Sequence, residues 1–176
     1  TAKYVERDPL PEGHLSNISF HENPDQFRAT RIPLQTAMGP IPDGNRFVKS
    51  VSGGSIFTVK GFQPFNTDIA FYGEEIWLAA RAYTHGYDIM VPDQQYMYHL
   101  YYNHETSDPA INKRKILWND YPAEFEALDK ISKALIFKTL TEGTTGEMLL
   151  GTDRTIAEYG IYAGLDFVNG ELVENC

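Results

Sequence analysis

The chain has 176 residues, 42% of them hydrophobic and 13% aromatic, which suits one ordered domain with a proper core and argues against disorder. Its net charge of −9 is unevenly placed: residues 1–60 carry 7 basic and 6 acidic side chains, residues 61–176 carry 8 and 18. That balance disfavours nucleic-acid binding, which rests on basic contacts to phosphates, and no apolar run is long enough to cross a membrane.

The single cysteine, Cys176, is the last residue, so no internal disulfide is possible, which fits a reducing compartment. No signal-like segment opens the chain, and a cytoplasmic location is expected. The first residue is Thr rather than Met, which suggests a processed or excised piece.

Residues 1–46 are rich in Pro, Asn, Asp and Gly. Six prolines there, from Pro9 to Pro42, forbid long regular elements, so the segment reads as an extended connection with short strands such as Gln26 to Ile32. Gly53 and Gly54 precede a buried strand at Ile56 to Val59; paired glycines invite close approach by a ligand or another backbone, or simply make a turn.

From Glu74 the apolar positions Ile76, Ala79, Ala80 and Tyr83 follow the spacing of a buried helix face. Gly86 sits where a left-handed residue would stop that helix, and Tyr87 to Val91 reads as a strand closed by Pro92. Glu74 and Glu75 therefore fall in the first helical turn, where exposed amides stabilise negative charge. Two adjacent carboxylates at such a turn suit a site for hydroxyl groups or protons; they would also serve simply to cap the helix.

Gln95 to Tyr101 alternates as a strand, with Met97, His99 and Tyr101 on one face. Pro109 to Trp118 and Pro122 to Leu140 read as helices opened by proline, the second with a core stripe of Phe125, Leu128, Ile131 and Leu135. The run Lys113 to Lys115 is a solvated helix face. A helix over Asp153 to Ala163, capped by Asp153 and ended by Gly164, leads into a hairpin from Leu165 to Val173 with a type I′ turn at Asn169–Gly170.

Gly73-Glu74-Glu75-Ile76, Arg81, Thr84-His85-Gly86-Tyr87-Asp88 and Pro92, followed by Tyr98-His99-Leu100-Tyr101, resemble the core signature of a glycosyltransferase family. It is the Skp1-type family of N-acetylglucosaminyltransferases acting on protein hydroxyproline. The resemblance is dense from Gly53 to His104 and looser through Gly151, Arg154, Tyr159, Gly164 and Asp166. It implies the C-terminal portion of a GT-A fold, an α/β mixed sheet flanked by helices. Residues 1–46 would connect, 47–104 would form the donor and acceptor core, and 105–176 a helical part with a terminal hairpin.

The resemblance implies transfer of N-acetylglucosamine from UDP-GlcNAc to a hydroxyl acceptor on protein or glycan, such as protein hydroxyproline, with retention. Mn²⁺ or Mg²⁺ is the implied metal, and His99 matches the place of a later histidine ligand. Gly53 and Gly54 would lie beside the donor sugar. Glu74 would accept hydrogen bonds from sugar hydroxyls, and Glu74 or Glu75 would take the acceptor proton if burial raised its pKa. Arg81 and His85 join the substrate-binding candidates, although a structural salt bridge and a helix-end imidazole are their plainer readings; His104 reads as a surface or acceptor-facing residue.

One departure stands out. An Asp-x-Asp or Asp-x-His motif is missing, as is a glycine-rich phosphate loop. The chain taken alone is therefore expected to be inactive and to self-associate through an uncovered sheet edge. One rival reading is a non-catalytic module that binds carbohydrate or protein on the same fold. The other is a metal-dependent hydrolase, which the lack of a His-Glu-x-x-His element disfavours.

Overall fold

The computed structural model describes residues 17–21, 24–32, 34–39, 47–51, 65–91 and 117–173. The strands expected at 56–59 and 95–101, most of the helix expected at 109–118, and the candidates Gly53, Gly54, His99 and His104 lie outside these residues.

Near the start, β1 (Asn17–His21) and β2 (Leu34–Gly39) pair antiparallel, with Ser19 opposite Thr36 and His21 opposite Leu34. Between them Gln26 to Ile32 is not a strand. Pro24–Thr30 forms helix α1, with Asp25 in its first turn. Pro24 opens a helix as readily as it bars a strand, and burying Phe27 holds the turns in place. Arg31, at φ 57, ends it.

Helix α2 (Glu74–Thr84) is the centre of the molecule. Ile76, Ala79 and Ala80 are buried as their spacing predicts, but so are Trp77, Leu78, Arg81, Ala82 and Thr84. An amphipathic helix became one enclosed nearly all round. Its alanines let neighbours approach closely, and the core they share takes in Phe27, Val48, Ile136, Leu140, Tyr159 and Phe167. Burying side chains as large as Ile76, Trp77 and Leu78 stabilises the fold by about 2 kcal/mol each. Gly86, at φ 82, follows the helix end.

Beyond it the expected strand over Tyr87 to Val91 is reduced to one antiparallel bridge, Phe47 to Met90, with Val48 N–H donating to the Ile89 carbonyl at 2.9 Å. The backbone groups of this segment are taken elsewhere: Arg154 donates to the carbonyls of Gly86 and Tyr87.

Leu117 and Trp118 belong to the one-turn helix α3 (Leu117–Asp120), and α4 (Pro122–Glu142) follows with Pro122 in its first turn and Gly143 as left-handed C-cap. Its buried face runs through Phe125, Ser132, Ile136, Thr139 and Leu140. Ile131 is 57% exposed, contrary to the expected stripe. The expected stripe reached Ile131 in two steps of three, one position short of the observed face, which passes from Phe125 two turns on to Ser132 and then Ile136.

Helix α5 (Ile156–Ala163) is capped by Thr155 rather than Asp153. Thr155 Oγ1 accepts from Glu158 N–H at 3.1 Å while Glu158 accepts from Thr155 N–H at 2.6 Å, a reciprocal capping box. Asp153 instead donates its N–H to the Thr84 carbonyl. The hairpin of β3 (Leu165–Asp166) and β4 (Glu171–Leu172) forms as expected, but its loop has four residues, not two. Asp166 accepts from the N–H groups of Val168 and Asn169, which widens the turn, and Phe167 inside it packs on Phe27 and Tyr159.

Candidate active site

The start of α2 is built by an unusual residue at its N-cap. Gly73 has φ 88, and a Cβ there would stand 2.9 Å from Ile136 Cδ1 and 3.1 Å from Ile32 Cγ2. Both the backbone conformation and the close packing of α1 and α4 require glycine. Lacking a side chain, Gly73 makes no cap hydrogen bond, so the first-turn amides are left to the acids that follow.

Gly73, Glu74, Glu75 and Ile76 line one side of an open cleft of about 290 Å³. Phe71 and Tyr72 form a second wall, and Gln26, Thr30, Ile32 and Lys133 complete it. Gln26 Nε2 donates to Thr30 Oγ1 at 2.9 Å and to the Ile32 carbonyl at 2.8 Å, fixing the α1 side. On the opposite side Lys133 pairs with Asp129 at 2.6 Å and lies 4.9 Å from the centre of the Tyr72 ring.

The electrostatics of Glu74 are set by opposing effects. Burial and then repulsion from Glu75 raise its pKa from 4.5 to about 7, while hydrogen bonds from the amides of Glu74 and Glu75 lower it. Desolvation wins. Glu74 caps the first turn, as the plainer reading held, and its carboxyl is also poised to exchange a proton near neutral pH.

The other signature residues serve the fold further along the helix, Arg81 about 10 Å and His85 about 16 Å from Glu74 at 1.5 Å per residue. Arg81 is fully buried; its Nε donates to the Leu149 carbonyl and one Nη to that of Glu147, at 3.1 and 3.0 Å, and its guanidinium lies over Trp77. Burial lowers its pKa. Arg81 thus binds the carbonyl groups of the 147–149 loop and is not among the described residues that line the cleft. His85 caps α2 through its backbone N–H, and its Nε2 is buried without a hydrogen-bond partner among the described residues.

Thr84 Oγ1 accepts from Gly151 N–H at 2.9 Å. Arg154 stacks 4.6 Å over Tyr83 and pairs with Asp88 at 2.9 Å. Tyr159 donates to the Lys49 carbonyl at 2.7 Å. Thr84 to Asp88 thus meet Gly151 and Arg154 in one interlocked corner, and Tyr159 packs on Tyr83 beside it. Lys133 was missed in the sequence; its only signal is the i,i+4 pair with Asp129.

Comparison with known families decides the class. The family model described as Glycosyltransferase (GlcNAc) matches residues 47–148, more than half of the chain. The chain belongs to that family. Neither a curated protein nor a solved structure matches it. The matched span of this GlcNAc-type glycosyltransferase runs from the Phe47 bridge through α2 and the cleft to the loop that Arg81 holds. The corner formed by Gly151 to Tyr159 lies beyond it. No helix among the described residues is long and apolar enough to cross a membrane. Among those residues, no three His, Cys, Asp or Glu side chains converge to hold a metal ion, so the described part of the cleft does not by itself fit one.

Proposed function

We propose that the protein transfers N-acetylglucosamine from UDP-GlcNAc to a hydroxyl acceptor with retention, on a GT-A fold, and that the Glu74–Glu75 cleft is where the sugar reacts. The observation that carries this reading is the Glu74 carboxyl, raised to about 7 in a cleft whose Phe71–Ile76 and Lys133 lining lies within the family-matched span. In the transfer, the bond from the anomeric carbon to the donor phosphate oxygen breaks and its electron pair leaves with UDP. A bond to the acceptor oxygen forms, and the hydroxyl releases one proton. Glu74 in its ionised half receives that proton near neutral pH, without the strong base that front-face attack does not need. Glu75 accepts hydrogen bonds from sugar hydroxyls and keeps the ring oriented.

Protein hydroxyproline is the acceptor that the sequence resemblance supports. Mn²⁺ or Mg²⁺, with His99 as a ligand and Gly53 and Gly54 beside the sugar, remains part of the proposal; such a metal supplies charge neutralisation for the departing diphosphate. Arg81 and His85 act in this scheme by holding α2, not by touching the donor.

The test is UDP release by the full-length protein, measured with UDP-GlcNAc and either a hydroxyproline peptide or an oligosaccharide. Sugar transfer that falls at least about a hundredfold in Glu74→Ala is expected, the scale of a lost acid–base group. Transfer unaffected by both Glu74→Ala and Glu75→Ala would displace the site.

A further inference from the structure

The aromatic wall of the cleft is only partly used in packing. Phe71 is 49% exposed and Tyr72 44%, although both sit beside a well-packed core. They are nonetheless held in order. The Phe71 ring centre lies 4.8 Å from that of Trp118 and 5.2 Å from that of Tyr72, and Tyr72 lies 5.8 Å from Phe125. Behind them Ala70 N–H donates to the Ser132 hydroxyl, fixing the turn on α4.

We propose that this wall stacks on the apolar face of one pyranose ring while Glu74 and Glu75 take its hydroxyl groups, so that the cleft is a seat for a single monosaccharide. The face of an aromatic ring is electron-rich, and the axial C–H groups of a pyranose are polarised positive. Carboxylates accept from hydroxyls, and the Gln26 and Thr30 side of the cleft adds further polar surface. A volume of about 290 Å³ lies at the low end of ligand pockets, which suits one sugar ring and not a whole nucleotide-sugar. A proline-rich peptide also packs on exposed aromatic rings. It would, however, bring carbonyl acceptors against carboxylate acceptors, a mismatch that sugar hydroxyls avoid. Trp118 is a positioning residue, since it supports Phe71 without lining the cleft.

The identity of the sugar rests on the glycosyl-transfer reading; the seat itself does not. Saturation-transfer NMR on the full-length protein, with free N-acetylglucosamine as probe, tests it. Strong saturation of the ring C–H protons is expected, with affinity about tenfold weaker in Phe71→Ala, kept in Phe71→Tyr, and about threefold weaker in Trp118→Ala. Unchanged affinity in Phe71→Ala overturns the proposal, as does a proline-rich peptide that binds these rings where the sugar gives no signal. Phe71-dependent sugar binding without turnover of UDP-GlcNAc would sink the transfer reading and leave the seat standing. Turnover with Phe71-independent binding would do the reverse.

Discussion

The amide of Ala70 donates to the Ser132 hydroxyl at 2.9 Å across 62 positions of sequence, and both groups are buried. This bond joins the turn that carries Phe71 to the helix that carries Lys133, two residues that both line the cleft. Ser132→Ala leaves a buried donor unsatisfied and should destabilise the protein by about 1–2 kcal/mol in urea unfolding. Catalytic efficiency should fall more than stability alone accounts for at temperatures where the variant stays folded.

Gly73→Ala should be more damaging than its size suggests. The new methyl meets Ile136 and Ile32 and forces an L residue to φ 88. A loss of about 2 kcal/mol or more is expected from the two effects together, read as a lowered urea midpoint with the slope unchanged.

The raised pKa of Glu74 makes stability depend on pH in a definite direction. With a folded value of about 7 against an ordinary 4.5, the native state holds this proton more tightly than the unfolded chain. The stabilisation is fully present below about 4.5 and is lost as pH rises through about 7. After allowance for solvent screening at a half-buried group, about 1–2 kcal/mol is at stake. Chemical unfolding at pH 5 and pH 8 should show that difference in the native protein, and Glu74→Gln should reduce it.

Arg154 and Asp88 form an ion pair, but the two partners are not equivalent. Asp88 is largely exposed, so Asp88→Asn should cost no more than about 0.5 kcal/mol. Arg154→Met also removes bonds to the Gly86 and Tyr87 carbonyls and the stacking on Tyr83, and about 1–2 kcal/mol should be lost. Thermal unfolding of the two variants compares them directly.

Local signals carried much of the architecture. Helix α2 was legible because Gly86 marks its end and its apolar spacing is regular. The long helix α4 and the terminal hairpin were legible for similar reasons. What failed depended on tertiary partners. Helix α1 is short and defined by the burial of Phe27, the bridge after Tyr87 by competition from Arg154, and Ile131 is exposed because the buried face of α4 runs through Ser132 and Ile136 instead. The paired acids at Glu74 and Glu75 could be named from the sequence, and the structure brings both into the cleft. Their aromatic wall could not, because Phe71 and Trp118 are distant in sequence and meet only through the Ala70–Ser132 bond and α3.

The most direct measurement is the pH dependence of kcat/KM for N-acetylglucosamine transfer by the full-length protein and by Glu74→Gln. Activity in the native protein should rise with pH to a plateau, with an apparent pKa of about 7, as the Glu74 carboxyl loses its proton. Glu74→Gln should lose that limb together with most of its activity. An identical pH profile and comparable rates in the two proteins would contradict the assignment of Glu74 to the reacting site.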